Sequence, residues 1–140
     1  MAEAPPGPLA ELQRELTNQA LAVAYDLGET LDFTHRSVGT VEKVLGLISD
    51  HYHKSGDDTG LNGLAYQFGA YIASTVQRNF NEGVLLRDHP ELGEGTFPFE
   101  FRGNTIFPFA WCQKRIFDGS GDNVETKYRI LVLEKVGVGV

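Results

Sequence analysis

GAYIASTVQRNF (residues 69–80) is followed, after a polar interval, by FPFEFRGNTIFPFAWCQKRIFDG (residues 97–119), and the reading of these two stretches decides the fold. The first belongs to a run in which Leu61, Leu64, Phe68, Ile72, Val76 and Phe80 recur every three or four residues, the spacing of one helix face. Gly69, Ala70, Ala73 and Ser74 keep much of the remaining surface small, so a neighbouring helix or sheet can approach closely. Asn81 and Gly83 end this helix, and Gly83 to Arg87 is a short strand candidate. In the second stretch Phe97, Phe99 and Phe101 alternate with Pro98, Glu100 and Arg102, the period of a half-buried strand. Pro98 has no N–H for a ladder, which places the strand at a sheet edge or puts the proline among its first residues. Gly103 and Asn104 make a tight turn into Thr105, Ile106 and Phe107, giving a hairpin. Pro108 suits the first position of a helix, where a missing N–H costs nothing, and Phe109, Cys112 and Ile116 share one face of it before Gly119. The two FPF tripeptides are too close to be a solenoid repeat and serve a strand and a helix start.

Toward the N-terminus, Pro5, Pro6 and Pro8 mark a loose leader over residues 1–7, after which Leu9, Leu12, Leu16, Ala20, Val23 and Leu27 predict a first helix ending at Gly28. Thr34 is a candidate N-cap for a second helix striped by Val38, Val41, Leu45, Ile48 and Tyr52. Gly39 and Gly46 within it each cost about 1 kcal/mol relative to alanine, so either they admit a close neighbour or the helix is locally weak. Residues 54–60 and 88–95 read as polar loops. Beyond Gly119, Asp122 or Asn123 caps a last segment in which Val124, Tyr128, Leu131 and Val132 fit a helix. Val124, Thr126, Tyr128, Ile130 and Val132 also alternate as a strand would, and the helix is the preferred reading. Residues 136–140 read as a flexible tail. The expected architecture is a single α+β domain over residues 1–140: three N-terminal helices packed on a small antiparallel sheet, with one or two C-terminal helices.

A chain of 140 residues buries enough apolar surface to fold without disulfides or metals. Cys112 is the single cysteine, which excludes an internal disulfide and a multi-cysteine zinc site. No run approaches the roughly 18 apolar residues of a transmembrane helix. The start of the chain carries an acid where a secretory signal has basic residues, so the expected location is cytoplasmic. The net charge of −7 is concentrated in residues 1–60, which hold ten acids and four bases. Such a surface disfavours nucleic acid and anionic membrane, whose binding needs clustered Lys and Arg, and suits a basic protein partner. The plainer reading is a solvated, solubilising face.

His51 and His53 lie close to Asp57 and Asp58, residue types able to hold a metal or a general base. On a helix, residues two apart point to different faces, so the favoured reading is an exposed helix end. His35 and His89 read as surface or capping side chains. Cys112 falls about one turn after Pro108, where a helix N-terminus favours a thiolate, yet it shares a face with Phe109 and Ile116 and reads as a buried structural cysteine. Lys114, Arg115, Arg102 and Arg129 could form a small basic patch beside stacking aromatics, which are more simply core. Arg78 reads as pairing with a carboxylate or capping carbonyls at its helix end. No phosphate-binding glycine loop or nucleophile elbow occurs, and neither cofactor nor metal is expected.

The order LDFTHRSVGTVEKVL, LAYQFGAYIASTVQRNF, GTFPFEFRGNTIFPFAWCQKRIFDG and a D-N-V-x-x-K-Y segment resembles small bacterial domains of unknown function, over roughly residues 31–133. In these a helix with G-x-Y and R-N leads into short strands and a P-F helix ending in K-R-x-x-x-G. The matching positions are Gly69, Tyr71, Arg78, Asn79, Pro108, Phe109, Lys114, Arg115 and Gly119. Some similar small acidic proteins accompany toxins as immunity factors, so the resemblance implies, by analogy, a protein that inhibits a toxin by occluding it. The expected binding surface is Asp50, Asp57, Asp58, Glu91 and Glu94 facing a basic partner. Two alternatives stand beside it: a small hydrolase using Cys112 or the His51/His53 cluster, and a structural subunit that forms a homo-oligomer through the phenylalanine strand as a sheet edge.

Overall fold

The helix Leu61–Phe80, α3, is the element around which the others assemble. It is seen in a computed structural model that describes residues 7–137; residues 1–6 of the expected leader (1–7) and residues 138–140 of the expected tail (136–140) lie outside the described residues. Chain order runs α1 (Pro8–Asp26), α2 (Ser37–Ser55), α3, β1 (Val84–Leu85), β2 (Phe99–Phe101), β3 (Asn104–Ile106), α4 (Pro108–Asp118) and α5 (Val124–Tyr128), with a 3-10 turn at Ser120–Asp122 and a π-helical turn at Arg129–Leu133. The architecture is α+β. Burial on α3 extends well beyond its apolar stripe, because Gly69, Ala70, Ala73 and Thr75 are buried along with Phe68, Tyr71, Ile72 and Val76. α1 packs on one side of it and α4 on another. At Gly69 the fit is backbone to backbone: a Cβ there would sit 2.8 Å from both N and Cα of Phe109 in α4.

α1 buries a seam that shares only Ala20 with the expected stripe, Val23 being partly covered. Its fully covered residues are Gln13, Thr17, Ala20 and Ala24, whereas Leu27 is 45% exposed. The polar pair is tolerated because its hydrogen bonds are made. Gln13 Nε2 donates to Ser74 Oγ at 3.0 Å and to Gln77 Oε1 at 2.9 Å, both on α3. Thr17 gives its proton to the Gln13 carbonyl, so Ser74 donates to Thr17 Oγ1 at 2.9 Å. Left unpaired, such groups would cost about 1–3 kcal/mol each.

α2 begins at Ser37, two residues later than a cap at Thr34 implies, although Thr34 Oγ1 does accept from the Ser37 N–H at 3.2 Å. Val38, Val41, Val44 and Leu45 form its buried face. The two interior glycines admit close neighbours: the Arg115 guanidinium lies against Gly46 and the Glu125 carboxylate against Gly39. Arg115, in α4, is buried beside Glu42 of α2, and Glu42 also accepts the Val124 N–H that opens α5. The tip of the expected basic patch is therefore an internal ion pair. Arg102 pairs with Glu82 and Arg129 with Glu134, so three of the four cations of the expected patch are paired with carboxylates of the chain itself.

The sheet is antiparallel with order β1-β2-β3. The phenylalanine strand β2 is thus central, with both backbone edges paired, and is not the edge strand required by the oligomer alternative. Phe99 and Phe101 face the core while Glu100 faces outward. The hairpin turns at Arg102 and Gly103, one residue before the expected Gly103 and Asn104, and both residues have positive φ. Phe97 has φ 49° and stands outside the strand, and Pro98 directly precedes it, its carbonyl accepting from Leu86 N. The sheet adds Phe99, Phe101 and Ile106 to a core that also draws on every helix. Each fully buried side chain of this size contributes about 1.5–3 kcal/mol.

The last segment is helical. Asn123 is the cap, its Oδ1 accepting from Thr126 N at 2.9 Å, and Val124, Tyr128, Val132 and Leu133 are buried. Val136, expected in the flexible tail, packs against the core.

Candidate functional site

The five carboxylates expected to meet a partner are all exposed. Asp50 lies on the outer face of α2 near its C-terminus. Asp57 and Asp58 occupy the link from α2 to α3, where Asp57 Oδ1 accepts the Thr59 N–H at 3.0 Å. Hydrogen bonds from Thr59 hold the Asp57 carboxyl below the usual range. Glu91 and Glu94 sit on the loop between β1 and β2. This loop is ordered by its own polar groups: His89 pairs with Gly93, its Nδ1 accepts from the N–H groups of Glu91 and Leu92, and Asp88 Oδ1 accepts from Gly95 N. His89 therefore caps the loop, as expected. Five ion pairs occur among the described residues, and none uses Asp50, Asp57, Asp58, Glu91 or Glu94.

Glu94 also stands at a cleft of about 620 Å³ between α1, the first half of α3 and the 87–97 loop. Leu12, Leu16, Tyr66 and Phe97 form its apolar walls, with Arg87 and Asp88 beside Glu94. The aromatic wall is built by packing. Tyr66 stacks flat on Phe109 with centroids 3.8 Å apart, and Phe97 meets Tyr66 edge-on at 5.3 Å. The positive φ of Phe97 turns its ring out of the strand pattern and onto this wall. Gln67 lines the same cleft, and its Oε1 has no hydrogen-bond partner among the described residues. The leucines that α1 withholds from its buried seam thus line the cleft instead.

Cys112 is fully buried, and burial pushes its thiol far up, against formation of a thiolate. His51 and His53 are exposed at the end of α2, where His53 Nδ1 bonds the Ser49 carbonyl at 2.8 Å. Among the described residues no group of three His, Cys, Asp or Glu is placed to hold a metal ion, and no helix is long and apolar enough to cross a membrane.

His35 differs from its expected surface role. It is half-buried, with Nδ1 2.6 Å from the Tyr128 hydroxyl and its ring tilted against Phe80 at 5.2 Å. Burial moves the imidazole down and the Tyr128 phenol up, so both favour their neutral forms. Beside it, Phe33 adopts φ 62°, an unfavourable conformation for an aromatic residue. Its N–H donates to Tyr71 Oη at 2.8 Å, its carbonyl accepts from Asn79 Nδ2 at 2.7 Å, and the Arg78 guanidinium lies 3.6 Å over its ring. Arg78 is thus a stacking group on Phe33, where a carboxylate pair or a cap on backbone carbonyls was expected. Tyr71, Arg78 and Asn79, three of the positions that carry the resemblance, converge on this one residue. Only a contact between distant segments reveals this, and no local spacing signals it.

No family model, curated protein or solved structure matches the chain.

Proposed function

We propose that this chain is a protein-binding module that engages a basic partner and inhibits it by occlusion, as an immunity protein does with its toxin. The observation that carries the reading is the set of five exposed carboxylates, Asp50, Asp57, Asp58, Glu91 and Glu94, which take part in no internal ion pair among the described residues. In a chain of net charge −7 they add to a field that speeds encounter with a cationic surface. Glu94 stands beside the apolar walls of the cleft, so attraction and apolar burial act on the same partner segment. A cytoplasmic location goes with this role, and the lone, buried Cys112 is at ease in a reducing compartment.

The test compares the wild-type protein with a variant carrying Asp50→Asn, Asp57→Asn, Asp58→Asn, Glu91→Gln and Glu94→Gln as baits in a lysate of the source organism at moderate salt. A stoichiometric basic partner that wild type retains, that the variant binds at least about tenfold more weakly, and whose activity falls on addition of wild type is the expected result. Equal retention by both baits would sink the electrostatic reading. Absence of any partner from a folded wild-type bait would remove the protein-binding reading itself.

A further inference from the structure

The acidic charge pattern of the chain reverses locally. Nineteen acids outnumber twelve bases overall, yet a hollow of about 540 Å³ between α4, the end of the 87–97 loop and the π-helical turn is lined by two lysines, Lys114 and Lys127, and by no acid. Its other walls are mainly apolar: Leu92, Phe107, Trp111 and Leu131 contribute, and the volume falls in the range of small-molecule sites. Lys114 is exposed and has no ion pair among the described residues. Lys127 has one carboxylate nearby, Asp122, at 3.3 Å. Leu92 is 63% exposed at this wall, an apolar side chain still open to burial.

We propose that this hollow binds a small amphiphilic carboxylate, its aliphatic or aromatic body against Phe107, Trp111 and Leu131 and its charge held by Lys114 and Lys127. An anion with no apolar body gains little there, since exposed ammonium groups alone bind weakly in salt. A neutral or cationic body of the same length loses the charge-assisted contact, and the cation also meets two like charges. The acidic surface repels anions at long range, so recognition rests on the local lysines and the desolvated wall. The two lysines lie outside the five carboxylates of the partner surface, while Leu92 and Gly95 share the 87–97 loop with Glu91 and Glu94.

Trp111 is the only tryptophan, so its fluorescence reports on this wall alone. The probe is decanoate below its micellar concentration, with decanol and decyltrimethylammonium as the neutral and cationic controls. The expected result is a saturable change with decanoate, confirmed calorimetrically, and binding about tenfold or more weaker for both controls and for the Lys114→Gln, Lys127→Gln double variant. Gln113→Glu, which adds an acid to the lining and keeps both lysines, is expected to weaken decanoate binding likewise. Absence of saturable decanoate binding overturns the proposal. So does equal affinity for decanol and decanoate, or unchanged affinity in whichever of the two variants is folded.

Discussion

The carboxylate of Glu42 serves two elements at once: Oε2 lies 2.7 Å from Arg115 Nε in α4, while Oε1 accepts the Val124 N–H of α5 at 2.9 Å. Both side chains are mostly covered, at 13% and 9% exposure. One residue of α2 therefore sets the positions of both C-terminal helices. Truncating either partner strands the other away from water, so Glu42→Ala and Arg115→Ala are each expected to destabilise the fold by about 3–5 kcal/mol. Urea denaturation of the single and double variants checks this, and the double variant should lose clearly less than the sum of the singles. An additive result would show that the two side chains stabilise the fold independently.

Gly69 predicts the opposite of helix propensity. In an isolated helix, Gly→Ala gains about 1 kcal/mol. Here the added methyl meets backbone atoms of Phe109, which cannot rotate away. Gly69→Ala is expected to destabilise by about 1–3 kcal/mol, seen as a lower thermal midpoint. A raised midpoint would mean that α3 and α4 are less closely packed than described.

The Tyr71 hydroxyl sits 2.6 Å from Ser37 Oγ and takes the Phe33 N–H. Ser37 spends its own proton on the Thr34 carbonyl, so Tyr71 is the donor between the two. Tyr71→Phe leaves the shape of the core intact and removes both bonds. The expected cost is about 1–3 kcal/mol, with faster hydrogen exchange at the Phe33 amide. An unchanged exchange rate would refute the pinning of Phe33 by Tyr71.

Burial lowers the His35 pKa in the folded protein below the ordinary 6.5. The folded state then binds fewer protons than the unfolded chain just below that pH. Stability from neutral His35 is fully present above about 6.5 and is lost as pH falls toward the folded value. Arg36, Glu125 and Arg129 line a shallow cleft with His35 and Tyr128, and burial is the cause of the downward shift. A titration of the His35 imidazole by NMR should give a value below 6.5, and the fall in thermal midpoint between pH 7 and 5 should be smaller in His35→Phe. A His35 value above 6.5 would reverse the sign of this prediction.

The helices were legible in sequence where local chemistry defines them. The apolar period of α3, Pro108 at the head of α4 and the Asn123 cap of α5 all act within a few residues. The hairpin was legible in kind but not in register. A turn at Gly103 and Asn104 would set Phe99 opposite Pro108, which the fold needs as a helix start. Pairing Phe99 with Ile106 instead forces Arg102 into positive φ, and its side chain there pairs with Glu82 and lies over Phe80. The exposure of the five carboxylates was legible in the sequence, because a solvated charge needs no tertiary partner.

The sequence by itself thus determined the α+β order of elements, the small surface of α3 and the exposure of Asp50, Asp57, Asp58, Glu91 and Glu94, since each follows from periodicity, capping or solvation. Only the tertiary structure decided that Arg115 is internal, that Gln13 and Thr17 are covered while Leu27 is not, and that His35 meets Tyr128. The physical reason is common to all three. Whether a polar side chain is buried depends on whether a partner far along the chain satisfies it, and no local pattern carries that information.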